Sequence, residues 1–173
     1  MRKPLKLLLI VVGMAMLFAA TVIYAATEVP DVIRLENKAY KKHKYGIVEL
    51  SHKKHAEDYA EKYPEFYKNK CGECHHDDEN KPLVNLKAGD DVKSCLECHK
   101  KLGEMPSKEK KAMRKAKLKK EERKKKEREY HAEAIHDNCI DCHKRYKKAK
   151  KLKSKDPKAP PTSCKKCHPK KKK

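Results

Sequence analysis

Apolar and polar positions fall into distinct patterns along the chain, and each predicts a different element. Residues 7–26 carry no charge and follow Arg2, Lys3 and Lys6, the arrangement of an export signal or a short membrane span. Residues 32–36 alternate apolar and polar side chains as a strand does, and residues 46–50 offer a second strand. Paired, the two make a small antiparallel ribbon across a connection that holds Lys41, Lys42 and Lys44. From Ser51 the period lengthens: Ser51 can cap a helix carrying His52, His55, Tyr59 and Tyr63 on neighbouring turns, until Pro64 interrupts it. Residues 108–129 contain no Gly or Pro and are dominated by Lys, Glu and Arg, which predicts helix by propensity. Met113, Ala116 and Leu118 make no continuous stripe there, so this helix is expected to project from the body or lie loosely on it.

These patterns predict a mainly α fold with a few short β-strands, but composition denies it an ordinary core. Charged residues make up 41% of the chain and aromatics 6%, with no Trp. So little apolar material leaves a chain disordered, or organised around disulfides, metals or cofactors. The net charge is +21, and residues 1–26 contribute three of those cations and no acids. Only six of the 46 cationic residues are Arg, and an exported chain rarely meets DNA, which argues against nucleic acid as a partner. Acidic protein surfaces and anionic lipid head groups fit better. Residues 1–26 read as a signal peptide cleaved near Ala25 or as a retained N-terminal membrane anchor. Either way residues 27–173 are expected outside the cytoplasm, in the periplasm.

The cysteines decide what organises the chain. Cys71-Gly-Glu-Cys74-His75, Cys95-Leu-Glu-Cys98-His99, Cys139-Ile-Asp-Cys142-His143 and Cys164-Lys-Lys-Cys167-His168 are four copies of Cys-x-x-Cys-His that use all eight cysteines. This is the attachment sequence for c-type heme. One turn of chain sets two thiols beneath the two porphyrin vinyl groups, where each forms a thioether, and turns the following His toward the iron. Zinc sites, thioredoxin-like redox pairs and disulfides also use Cys-x-x-Cys, but none requires His at the fifth position. With ten His in 173 residues, four such coincidences would arise on the order of once in a hundred thousand chains.

Four irons offer eight axial positions, and His75, His99, His143 and His168 fill half of them. His43, His52, His55, His76, His131 and His136 remain as candidates for the rest. If four of these six ligate, every iron is closed, which favours electron transfer over substrate chemistry.

These residues resemble the tetraheme cytochrome c3 family, the class III cytochromes c. The resemblance rests on a strand leading into His52-Lys-Lys-His55, on His76 directly after the first motif, and on Tyr130-His131-Ala-Glu-Ala-Ile-His136-Asp137 before the third. It implies a small multiheme cytochrome fold organised around four covalent heme c groups. It also implies His52 opposite His75 on heme 1, His76 opposite His99 on heme 2, His55 opposite His143 on heme 3, and His136 opposite His168 on heme 4, with His131 the competitor for that last position. The chain departs from many members in having two residues between the cysteines of its second and fourth motifs. It also carries a long Lys-rich helical insertion at about residues 100–130.

The resemblance further implies a low-potential periplasmic electron carrier of anaerobic respiration, and not an enzyme. Such a carrier takes electrons from hydrogenase or formate dehydrogenase and passes them to membrane redox complexes. Two alternatives from other classes stand beside it. One is a multiheme reductase with an open iron, and the other a membrane-anchored subunit of a respiratory complex. The insertion reads either as a solvated helix or as a docking arm for an acidic redox partner or anionic lipid.

Overall fold

The computed structural model describes residues 30–170. The export segment, residues 1–26, lies outside the described residues.

The expected ribbon forms with very short strands. β1 (Ile33–Arg34) runs antiparallel to β2 (Glu49–Leu50), with Ile33 opposite Leu50 and Arg34 opposite Glu49. Leu35 N donates to Val48 O at 2.9 Å and extends the pairing by one rung. The helix expected from Ser51 is broken into α1 (His52–Ala56) and α2 (Asp58–Lys62), because Glu57 departs from helical geometry at φ −116° and ψ −74°. Ser51 sits at the cap position without a side-chain cap bond, and its carbonyl is put to another use described below. Pro64, which lacks an N–H and clashes with a preceding helical turn, begins a 3-10 turn at Pro64–Phe66. A second 3-10 turn, Lys70–Glu73, carries the first attachment motif.

The Lys-rich segment corrects the expectation of one continuous helix that projects from the body or lies loosely on it. It forms α4 (Ser107–Lys115) and α5 (Lys120–Glu127), which follow the short α3 (Cys95–Cys98). Between them Lys117 adopts φ 50°, Lys117 N donates to Arg114 O at 3.0 Å, and Leu118 N donates to Met113 O at 3.2 Å. This is a Schellman stop, in which one left-handed residue satisfies the last helical carbonyls and the next residue folds back onto the helix. Leu118 accordingly packs against the cluster of Met105, Met113 and Tyr130, the buried apolar side chains among the described residues. The segment is thus folded on its own small core rather than projecting.

Its two ends meet. Lys101 N donates to Glu129 O at 3.1 Å, His131 N to Lys101 O at 2.7 Å, and Ala132 N to Gly103 O at 3.0 Å. Outgoing and returning strands therefore lie side by side, and the return leads into α6 (His131–Ala149), which carries the third motif within its 19 residues. The same Lys-Leu stop ends α6, with Lys151 at φ 53° and Leu152 N on Lys147 O at 2.9 Å. The last element is α7 (Cys164–Cys167). Among the described residues the fold is mainly helical with one two-stranded sheet.

Candidate heme sites

The first, second and fourth attachment motifs lie on short helical turns and the third within the long helix α6. At the first, Glu73 accepts from Asn69 N at 3.2 Å and Asn69 Nδ2 at 3.0 Å, and Arg145 of α6 approaches the same carboxylate at 3.6 Å. Gly72 is buried there, and a Cβ on it would stand about 3.0 Å from Pro82 Cβ and Leu83 N. At the second, Ser94 N donates to Glu97 Oε1 at 2.7 Å while Ser94 Oγ accepts from Leu96 N at 3.4 Å, a capped start for α3. Cys98 Sγ donates to Asp78 Oδ1 at 3.3 Å, which raises the thiol above its ordinary range; Lys93 holds the same carboxylate at 2.9 and 3.0 Å and lowers it. The third motif lies within α6, where Asn138 Nδ2 donates to Cys74 O at 3.1 Å and ties it to the first. No two of the eight cysteines are bonded to one another.

Each motif histidine faces one remote histidine. His52 and His75 have ring centres 6.2 Å apart, His76 and His99 6.0 Å, His55 and His143 6.3 Å, and His136 and His168 6.2 Å. Direct ring contacts elsewhere are shorter, from 5.1 Å for Tyr63 and Tyr146 to 5.7 Å for Tyr40 and His131. The four pairs are therefore held slightly apart. An imidazole nitrogen binds a metal at about 2 Å, and the ring centre lies about 1 Å beyond it, so one ion between two rings separates their centres by about 6 Å. Among the described residues no three His, Cys, Asp or Glu side chains converge as a bare-ion site needs. Pairs suit an ion whose other four ligands come from a macrocycle. The residues present fit heme.

The tautomers agree. His55 Nδ1–H donates to Ser51 O at 2.8 Å, His76 to Asp77 O at 2.8 Å, His143 to Pro161 O at 2.7 Å and His168 to Gly46 O at 2.8 Å. His99 donates to Arg128 O. A carbonyl can only accept, so in all five rings Nδ1 carries the proton and Nε2 keeps its lone pair for a metal. Burial keeps His75 and His143 below the usual imidazole range, which favours the neutral ligating form. His52 Nδ1 is buried without a hydrogen-bond partner.

His131 is placed differently. It is 8% exposed, and its Nδ1 lies 2.8 Å from Tyr40 OH. The same phenol accepts from Gly103 N at 2.9 Å, so Tyr40 ties His131 to the start of the Lys-rich segment. Burial, then His99, lowers the His131 pKa. His43 stacks on Tyr40 with ring centres 5.5 Å apart. The backbone acceptors and the Tyr40 anchor escape sequence reasoning because carbonyl partners carry no residue signature. Only His55 and His76 have local acceptors, four residues earlier and one residue later.

The Lys-rich segment divides its cations. Lys110 pairs with Glu133 at 2.5 Å, Lys124 with Asp141 at 2.8 Å and Asp137 at 3.7 Å, and Arg128 Nε with Asp137 at 3.0 Å, all against α6. Lys111, Arg114, Lys115, Lys117 and Lys120 are exposed at the corner between α4 and α5 and make no ion pair among the described residues.

Repeated Cys-x-x-Cys-His units, each with its histidine facing a second imidazole across a metal-sized gap, define a c-type cytochrome. The sequence pattern of the class III cytochrome C family matches residues 29–168, and the chain belongs to that family, whose members are multiheme electron-transfer proteins binding covalent heme c. They are electron carriers in general rather than enzymes. No curated protein and no solved structure matches the chain.

Proposed function

We propose that the chain carries four heme c groups, each ligated by two histidines, and shuttles electrons in the periplasm between acidic redox proteins. Cys71 and Cys74, Cys95 and Cys98, Cys139 and Cys142, and Cys164 and Cys167 supply the thioethers. His75 with His52, His99 with His76, His143 with His55, and His168 with His136 supply the axial nitrogens. The observation that carries this reading is the set of four imidazole pairs at 6.0–6.3 Å. Bound heme supplies reversible one-electron chemistry at low potential when both axial ligands are His.

The chain's own residues do the rest. Paired imidazoles fill both axial positions and exclude water and small ligands, which separates this reading from a reductase with an open iron. His52 and His55 share α1, so one short helix holds the groups of the first and third motifs together. Adjacent His75 and His76 do the same for the first and second. The unpaired cations at the α4–α5 corner support docking of an acidic partner, a hydrogenase or formate dehydrogenase on one side and a membrane redox complex on the other.

Intact mass of the mature protein with a pyridine hemochrome spectrum tests the count; fewer than four hemes per chain refutes it. Electron paramagnetic resonance of the oxidised protein tests the ligation, and a substantial high-spin fraction counts against it. Docking through the corner requires partner reduction rates that fall steeply with ionic strength. Rates that stay flat remove the corner from the interface.

A further inference from the structure

We infer that the Lys-rich segment positions the axial ligand His99, with Arg128 as the positioning residue, and so lowers the potential of the second heme. The inference rests on the proposed ligation by His99. Arg128 caps the C-terminus of α5, where the last helical carbonyls have no partner within the helix. Its own carbonyl accepts the His99 Nδ1 proton. The negative end of the helix dipole makes that oxygen a strong acceptor. Stronger acceptance from Nδ1–H makes the imidazole a better donor to iron and favours the oxidised state.

Local bonds from Arg128 N to Lys124 O at 3.0 Å and from Glu129 N to Lys126 O at 3.3 Å hold this carbonyl to the end of α5, but not to His99, unlike the acceptors of His55 and His76, which lie four residues before and one residue after their histidines. The Arg128 acceptor is 29 positions from His99 and is fixed by tertiary contacts. Arg128 Nε grips Asp137 of α6 at 3.0 Å, and Lys124, one turn earlier on α5, reaches Asp137 at 3.7 Å and Asp141 at 2.8 Å. On the other side Lys101 N binds Glu129 O at 3.1 Å and Lys101 Nζ binds the Glu129 carboxylate at 2.7 Å. The segment thus leaves from α3, which ends at the second motif, returns into α6, which α3 itself touches, and delivers one carbonyl to one imidazole.

The test uses full-length holoprotein carrying Arg128→Leu, Arg128→Lys or Lys124→Leu, with the four midpoints resolved by potentiometric titration under electron paramagnetic resonance. The second heme is the one whose low-spin signal His76→Ala abolishes. Arg128→Leu is expected to raise that midpoint alone, changing its oxidised-to-reduced ratio about three- to tenfold, where tenfold is 59 mV for one electron. Lys124→Leu gives a smaller rise, and Arg128→Lys restores most of the shift. Charge alone predicts the opposite sign, since removing a cation makes reduction harder. A midpoint that falls or stays fixed in both leucine variants overturns the inference. A hemochrome count below four, or a spectrum unchanged by His76→Ala, instead refutes the ligation on which it rests.

Discussion

Replacing His136 with Ala, and separately His131 with Ala, separates two histidines that the sequence alone leaves in competition. His136 faces His168 at 6.2 Å, whereas His131 is tied to Tyr40 at 2.8 Å. Both lie on α6, five positions apart, which is about 7.5 Å along the axis and roughly 140° around it. That offset prevents His131 from moving into the place of a lost His136 without unwinding the helix. His136→Ala should therefore open one iron in four. About one quarter of the low-spin signal should become high-spin, and the reduced protein should bind about one carbon monoxide per chain. His131→Ala should leave the low-spin signal whole and bind none. Carbon monoxide titration followed by absorbance, together with electron paramagnetic resonance, reads both. Carbon monoxide binding in His131→Ala, or a fully low-spin His136→Ala, would refute the reasoning.

Other consequences are as direct. Lys117→Gly relieves a left-handed Lys that costs about 1–2 kcal/mol, offset by the greater freedom of Gly when unfolded, so a net gain of about 0.5–1 kcal/mol is expected. Amide exchange between residues 107 and 127 should slow about two- to fivefold. Gly46→Ala sets a Cβ against the Pro169 carbonyl, which the backbone must yield to, and it should disturb the Gly46 O acceptor of His168. The low-spin signal of one heme should broaden or shift, and an unchanged spectrum would dismiss the contact. The Lys101 ammonium holds Glu129 below its ordinary value of 4.5. The bond therefore stabilises the fold above the unfolded Glu pKa, and that contribution fades as pH falls through the lower folded value. The melting difference between wild type and Glu129→Gln should be present at pH 7 and vanish in acid.

Motif and spacing make the attachment residues legible because Cys-x-x-Cys-His encodes covalent geometry within one turn. The remote histidines are legible only through family resemblance; their rings lie 6.0–6.3 Å from those of the motif histidines. The Lys-rich segment is less legible. Its chain reversal is built by Lys117-Leu118, as the end of α6 is by Lys151-Leu152, and in both Lys takes the left-handed position that sequence rules reserve for Gly or Asn. Its core draws Met105, Met113 and Tyr130 from both ends of the excursion. A periodicity search along residues 108–129 sees only Met113 of that trio. Ser51 does sit at a cap position, but His55 takes its carbonyl and the hydroxyl caps nothing.

Gly46 and His168 stand 122 positions apart and share one hydrogen bond. This clasp makes the described chain a circuit rather than a string of four interchangeable modules. A fragment cut between the third and fourth motifs would separate His168 from both its carbonyl and His136, and leave the strand connection at Gly46 without its seat. Duplication or loss of single motifs, an easy route for growing or shrinking a linear array, is therefore closed to this chain at its fourth motif, which depends on both the beginning and the middle of the fold.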